Sequence, residues 1–332
     1  MNSRSLGKSG ISVSPIGLGC WAIGGPFTSG GLAAGWGNVD DAQSERAIAA
    51  GLEQGVTLFD TADVYGIGRS ERVLGRALGR RRPDVVIATK FGNTYDEAAK
   101  NMVGTNIAPD YIRQALAASL ARLGTDYVDL YQLHVGDAEP GPMARVAETL
   151  ESLASEGKIR AWGWSTDDAP RVAALGDYPH FVAVQQELNV LHGSADLLAV
   201  AERRGLASLN RSPLGMGLLT GKFAAGSKLP AADVRSAGHV WLRDFHEGVP
   251  DPTALARLAA LRDLLTTSGR TLAQGALCWL LARSPVTLPI PGFKSEAQAV
   301  ENAGAIAKGP LPAAVMAEIE AVLAADIEPA EA

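Results

Sequence analysis

Four polar side chains stand where apolar runs end. Asp60 closes the run that opens F-D-T-A-D-V-Y-G, with Tyr65 five residues on; Lys90 closes A-T-K-F-G and His134 closes Y-Q-L-H. Together they describe a proton donor. A free tyrosine hydroxyl titrates near about 10, too high for efficient donation and return at neutral pH. A neighbouring lysine ammonium favours the phenolate and pulls that value down. The aspartate holds the lysine in place and charged, and the histidine polarises a substrate oxygen. A general acid beside a carbonyl is half of a carbonyl reduction. The other half is a source of hydride, and no spacing of His, Cys or carboxylates suggests a metal.

Singly, each residue has a plainer use. A strand-terminal Asp often caps a helix, a lone Tyr is often core, and a Lys is usually a solvated charge. Placement favours the joint reading. Short β-branched runs at 56–60, 85–90, 127–134, 159–164, 181–186, 206–211 and 286–290, with a first one ending at Gly19, read as eight strands. Amphipathic helical patterns separate them: Ile112, Leu116, Leu120 and Leu123 share one face, and Met143, Val146, Leu150 and Leu153 another. Pro109 and Asp110 start the first of these helices and Gly124 stops it. Parallel strands buried on both faces require such apolar runs. Eight such units predict one (β/α)8 barrel domain over residues 1–332, with an N-terminal hairpin turning at Gly7–Gly10 and a last helix at 311–325 that then frays. An open doubly wound sheet is the competing architecture. In a barrel the ends of the second, third and fourth strands converge on one opening and bring the four residues together. Long connections at 20–43, 91–109 and 212–252 follow strand C-termini, where barrel active sites are built.

The composition excludes several other classes. The 332 residues are 47% hydrophobic and 20% charged, with a formal net charge of −6 spread along the chain, which points away from nucleic acid and anionic membranes. Two cysteines, Cys20 and Cys278, cannot build a disulfide framework, and no run has signal-peptide or membrane-spanning length; the expected location is cytoplasmic. Gly66-Ile67-Gly68 lacks the third glycine of a dinucleotide fingerprint, since Glu71 stands there, which removes the doubly wound alternative. Gly217 to Lys222 is one residue short of a phosphate-binding P-loop, and Phe223 replaces its Ser or Thr. His239 and His246 read as loop residues, not metal ligands. Trp162, Trp164 and Trp279 read as core; Trp21, Trp36 and Trp241 lie in or beside the long loops as pocket walls.

The strings F-D-T-A-D-V-Y-G-I-G-R-S-E, A-T-K-F-G, S-L-A-R-L-G-T-D-Y-V-D-L-Y-Q-L-H and G-K-I-R-A-W-G-W-S resemble the aldo-keto reductase superfamily, from about Leu6 to beyond residue 305. The resemblance implies an oxidoreductase with a catalytic tetrad of Asp60, Tyr65, Lys90 and His134, Tyr65 being the acid–base. It also implies NADP(H) extended across the barrel mouth. Ser165 and Gln185 match its hydrogen bonds to the nicotinamide carboxamide. Ser212, Leu214, Gly217, Leu218, Thr220, Gly221 and Lys222 match its pyrophosphate loop, whose main-chain N–H groups cradle phosphate oxygens. Gly292, Lys294, Ser295, Gln298 and Asn302 match the site of the adenosine 2′-phosphate and adenine. Lys294 and Ser295 at a helix N-terminus suit a phosphate dianion and point to NADPH over NADH.

Two positions depart from the pattern. Thr166 stands where many relatives carry Asn, and Arg211 where many carry an aromatic that stacks on the nicotinamide. A guanidinium also stacks, but its charge opposes the cationic oxidised ring. Arg211 is therefore expected to bias the enzyme towards reduction or to hold an anionic or polyhydroxylated substrate. The expected substrate is a small molecule bearing a carbonyl. Trp21, Asn93, Tyr95 and Trp241 suggest a partly polar pocket for a sugar-like or small polar compound. The alternatives are a sugar or alcohol dehydrogenase on the same residues, discriminated by its cofactor preference, and a cofactor-sensing regulatory subunit, against which the intact tetrad argues. Oligomeric state is not legible.

Overall fold

A computed structural model describes residues 3–325. Eight parallel strands form its centre: β1 (Leu18–Gly19), β2 (Leu58–Asp60), β3 (Val86–Phe91), β4 (Val128–Leu133), β5 (Ile159–Ser165), β6 (Phe181–Glu187), β7 (Ala207–Arg211) and β8 (Thr287–Pro289). Each pairs with the next in chain order. The two edges then meet. The Gly17 amide donates to the Pro289 carbonyl and the Gly19 amide to the Pro291 carbonyl, both at 2.9 Å, and Gly19 pairs with Gly292. This closure distinguishes a (β/α)8 barrel from an open sheet. It requires glycine at 19, because a Cβ there would lie 2.7 Å from the Ile290 carbonyl oxygen.

Helices α1 (Asp41–Glu53), α2 (Arg69–Leu78), α3 (Pro109–Leu123), α4 (Pro140–Ser155), α5 (Ala169–Ala174), α6 (Ala195–Arg204), α7 (Pro252–Leu265), α8 (Leu272–Arg283), α9 (Glu296–Lys308) and α10 (Ala313–Ala324) surround the barrel. Their ends follow local chemistry. Asp40 caps α1 by accepting from the Gln43 amide at 2.8 Å. Pro109 occupies the first turn of α3 and Gly124, at φ 66°, turns the chain out of it. The fraying expected after α10 lies outside the described residues.

Strand alternation decides which side chains reach the site. Leu58, Val86, Ala88, Leu130, Ala183 and Leu209 pack inside the barrel, over a floor of Leu6, Ile11 and Val13 from the N-terminal hairpin. Two residues further along the same inward rows stand Asp60, Lys90, Gln132 and Gln185. The ladder register puts Gln132 opposite Lys90 and Asp60 opposite Ala88. One polar layer thus caps an apolar plug.

The long connections are more ordered than their sequences suggest. Thr28–Ser29, Leu32–Ala33, Asn93–Asp96 and Asn101–Thr105 form a four-stranded sheet beside the barrel mouth. These runs are too short and too polar to show an alternation. The loop after β7 reaches across to the loop after β1: the Val234 amide donates to the Gly35 carbonyl at 3.0 Å, Trp36 pairs with Asp233, and His239 Nε2 bonds the Ala33 carbonyl at 2.8 Å. Both cysteines are buried and unpaired. Among the described residues no helix is long and apolar enough to cross a membrane.

Candidate active site

The C-terminal ends of the strands open on a cavity of about 1140 Å³. That exceeds the range of a single drug-sized ligand, roughly 300–1,000 Å³, and leaves room for two molecules.

At its floor Lys90 is wholly buried. Its ammonium has three protons and three acceptors: Asp60 Oδ2 at 2.6 Å, the Thr61 carbonyl at 2.9 Å and the Tyr65 hydroxyl at 3.2 Å. The other oxygen of Asp60 accepts from Gln185 Nε2 at 2.8 Å and Gln132 Nε2 at 3.2 Å. Burial alone would depress the lysine, but Asp60, with Tyr65, outweighs it and lifts Lys90 above the ordinary lysine value. His134 meets Tyr65 edge-on, with ring centroids 6.0 Å apart. Burial, reinforced by the charges of Lys90 and Arg211, holds His134 well below 6.5, so its ring is neutral. Its Nδ1 is buried without a partner.

One expectation is corrected here. Lys90 was expected to bring Tyr65 below its ordinary value. Burial pushes the phenol up, Lys90 pulls it only part of the way back, and the net displacement is above 10.0. In the chain alone Tyr65 is a firmly protonated acid, and the lysine limits how far burial raises it.

Beside the tetrad, Ser165, Gln185 and Arg211 line the cavity. The Gln185 amide nitrogen is committed to Asp60, leaving its oxygen side for a ligand. Thr166 donates to the Gly136 carbonyl at 2.7 Å. The Arg211 guanidinium pairs with Asp167 and lies 3.9 Å from Glu187, so two carboxylates offset its charge. That placement weakens the reading in which Arg211 waits for an anionic substrate.

Further along, the chain turns sharply between Ser212 and Lys222. Ser212 at φ 51° and Met216 at φ 52° hold left-handed backbone, which costs a non-glycine residue roughly 1–3 kcal/mol. Gly217 follows at φ 95°; a Cβ there would come within 3.3 Å of Arg235 Nη1 and 3.6 Å of Lys222 Nζ. Burial first, then Arg235 and Lys294, depresses Lys222. Burial, with Arg235, also depresses Lys294, though Asp233 opposes it. Three cations thus crowd one end of the cavity, where Asp233, bound to Arg235 at 2.7 Å, offsets part of their charge. This donor set fits a phosphate. Lys294 Nζ donates to the Trp36 carbonyl, its own amide donates to Gln298 Oε1 at 2.7 Å, and Asn302 Nδ2 donates to the Gly292 carbonyl at 3.1 Å.

Most of the residues expected at the site therefore share one cavity. Trp21, Asn93, Ser212, Leu214, Gly217, Thr220, Lys222, Gly292, Lys294, Gln298 and Asn302 all line it. Four do not: Lys90 lies buried beneath the floor, and three others have structural uses. Leu218 is wholly buried among the helices, Gly221 ends a turn at φ 74°, and the Ser295 hydroxyl caps α9 by accepting from the Gln298 amide. Tyr95 packs on the cluster of Phe27 and Val64 behind the wall. Arg235 and His239 line the cavity and were not expected there. Among the described residues no cluster of His, Cys, Asp and Glu could hold a metal ion.

An acid at the strand ends and an anion site along one mouth have a parallel among known proteins. The pattern of the aldo/keto reductase family matches residues 15–324. This chain belongs to that family. It is similar to an NADH-specific methylglyoxal reductase of Escherichia coli, 32% identical over 92% of this chain and 94% of the relative. Its fold resembles a glycerol dehydrogenase of Gluconobacter oxydans, with TM-score 0.83, 28% identity and coverage of 99% and 98% of the two chains. It also resembles an aldo-keto reductase of Klebsiella pneumoniae in complex with NADPH, with TM-score 0.70, 26% identity and coverage of 97% and 96%. Family membership makes the chain an oxidoreductase of the carbonyl–alcohol class.

Proposed function

We propose that this aldo/keto reductase reduces an aldehyde or ketone to an alcohol with NADPH, Tyr65 acting as the general acid. The observation that carries the reading is a protonated, half-buried phenol touching a fully satisfied Lys90, beside a cavity that three cations also line. Bound along the cavity, NADPH supplies the hydride. Ser165 and Gln185 would hold its carboxamide, the turn from Ser212 to Lys222 its pyrophosphate, Lys222, Arg235 and Lys294 its 2′-phosphate, and Gln298 and Asn302 its adenine.

The chain's own residues then do the following. A neutral His134 donates an N–H to the substrate oxygen and fixes the carbonyl against Tyr65. As negative charge develops on that oxygen, Tyr65 passes it a proton. The phenolate left behind is stabilised by the Lys90 ammonium 3.2 Å away, which Asp60 holds in place and the two glutamines brace from behind. Charge develops among fixed donors in a dry site, where such interactions are worth most.

The likeness to a glycerol dehydrogenase favours one second reading, oxidation of an alcohol. That direction needs the phenolate, and a Tyr65 raised by burial disfavours it at neutral pH. Titration of the protein with NADPH and NADH, read by cofactor fluorescence, tests the assignment. The expected result is NADPH bound roughly 10–100-fold more tightly, the equivalent of about one charge-assisted hydrogen bond. A preference for NADH would move the cationic cluster out of the cofactor site, and binding of neither would overturn the assignment.

A further inference from the structure

The catalytic floor leaves the substrate open, but the wall above it is chemically one-sided. The Trp21 ring lies nearly parallel to Tyr65, with centroids 5.9 Å apart and planes at 24°. Trp36 meets the edge of Trp21 at 5.4 Å, Trp241 tilts against it at 6.1 Å, and His239 stacks on Trp241 at 5.1 Å. An unbroken aromatic surface thus runs from the proton donor to the outside. Phe27, Val64 and Met102 continue the apolar lining.

Hydrogen-bond accounting separates this wall from a polyol site. Trp21 Nε1 already donates to the Ala34 carbonyl at 3.1 Å, and His239 Nε2 is bonded to the Ala33 carbonyl. On the side built by the loops after β1 and β3, Ser29, Asn93 and the unpartnered Trp36 Nε1 are the polar side-chain groups that remain. On that side a polyol finds few partners for its hydroxyls, and each one left unpaired weakens binding. An aromatic or conjugated body needs no partner, and gains from burial and from offset or edge-on ring contacts.

The rim points the same way. Among the described residues five large apolar side chains are exposed: Leu32, Val103, Val240, Trp241 and Val300. The first four sit on the loops that surround the mouth, next to lining residues Met102, His239 and Trp241. Apolar side chains on these loops suit an apolar body that reaches out of the opening.

We infer that the substrate is a carbonyl carried on a planar apolar body, an aryl or conjugated aldehyde or ketone. Its ring lies along the Trp21–Trp241 wall and its far end rests on the rim of Leu32, Val103 and Val240. This departs from the sugar-like or small polar substrate expected from the sequence, and it rests on the reductase reading above.

The experiment compares kcat/KM for 2-naphthaldehyde and glyceraldehyde in wild type, Trp241→Ala and Val103→Ser. The expected wild-type ratio is about 100-fold in favour of 2-naphthaldehyde, falling about tenfold in Trp241→Ala and less in Val103→Ser. Comparing ratios between variants cancels the intrinsic reactivity of the two aldehydes. Glyceraldehyde used as well as 2-naphthaldehyde, or a ratio that neither substitution moves, overturns the inference. Binding is read separately by calorimetric titration of 2-naphthaldehyde into the protein saturated with NADP+. Tight binding that Trp241→Ala weakens, without turnover of either aldehyde, supports the wall and removes the reductase reading instead.

Discussion

The two ends of the cavity are built on opposite plans. At the tetrad every proton of Lys90 has an acceptor and both oxygens of Asp60 are taken, by groups on the barrel strands and, for Thr61 and Tyr65, on the short turn that leaves β2. At the other end the charges of Lys222, Arg235 and Lys294 ride on loops and crowd one another, with Asp233 offsetting part of their charge. The difference follows from the chemistry asked of each. Proton transfer fails when a group moves by an ångström, so its parts belong on a hydrogen-bonded ladder. Attraction of a phosphate is a longer-range charge effect and tolerates groups carried on loops. Lys90 and Asp60 find their partners within the chain, whereas the cationic end carries a surplus of positive charge that suits an anion.

Substitutions at the two ends should therefore fail differently. The largest effect is expected from Lys90→Met. It strips a buried carboxylate of its cation, so stability falls by about 3–5 kcal/mol and turnover is lost; denaturant unfolding and NADPH consumption measure both. Retained stability would mean that the two glutamines alone satisfy Asp60. At the opposite end, Arg235→Ala also unpairs a buried carboxylate, Asp233, and so costs stability, but it should leave the saturated rate near wild type while weakening NADPH binding by roughly 10–100-fold and NADH binding far less. Equal losses for both cofactors would place Arg235 on a phosphate they share.

Acidity sharpens the contrast further. His134 is neutral in the folded chain because its pKa lies well below 6.5, whereas an unfolded histidine takes up a proton below about 6.5. The unfolded state binds the extra proton, so stability should decline as pH falls below that value, and His134→Gln should flatten the decline. Tyr65 moves the other way. Its raised value predicts a carbonyl-reduction rate that stays level from neutral pH and drops only above about 10. The smallest change is expected from Arg211→Tyr. Asp167 and Glu187 already offset that charge, so the affinity for NADP+ relative to NADPH should rise by only about two- to fivefold. A larger change would show that the pairing breaks when the cofactor binds.

What could be read from the sequence divides along the same line. Asp60, Lys90 and His134 were legible because polar residues closing β-branched runs break a strong pattern, and eight such runs specify a barrel. Gln132 carried the same signal, since it alternates with Leu130 and His134 on one inward row, but the eye passes over it beside the histidine. Arg235 carried none: it lies in a long aperiodic loop, and its meeting with Lys222 and Lys294 depends on how three segments fold together. Leu218, Gly221 and Ser295, expected as ligands within a motif, also have structural uses as core, turn and cap, which the sequence does not show. The direction of the Tyr65 shift was illegible because burial, its dominant cause, is a property of packing. The mouth sheet was hidden for want of length, its strands being two to five residues long.

The most direct test of the central claim is Tyr65→Phe, titrated with NADPH by cofactor fluorescence and then given a carbonyl in the same cuvette. The account predicts NADPH affinity within about twofold of wild type and turnover lower by roughly 10²–10⁴, because the cofactor is held elsewhere and only the proton is missing. Turnover at the wild-type rate with NADPH bound would contradict it.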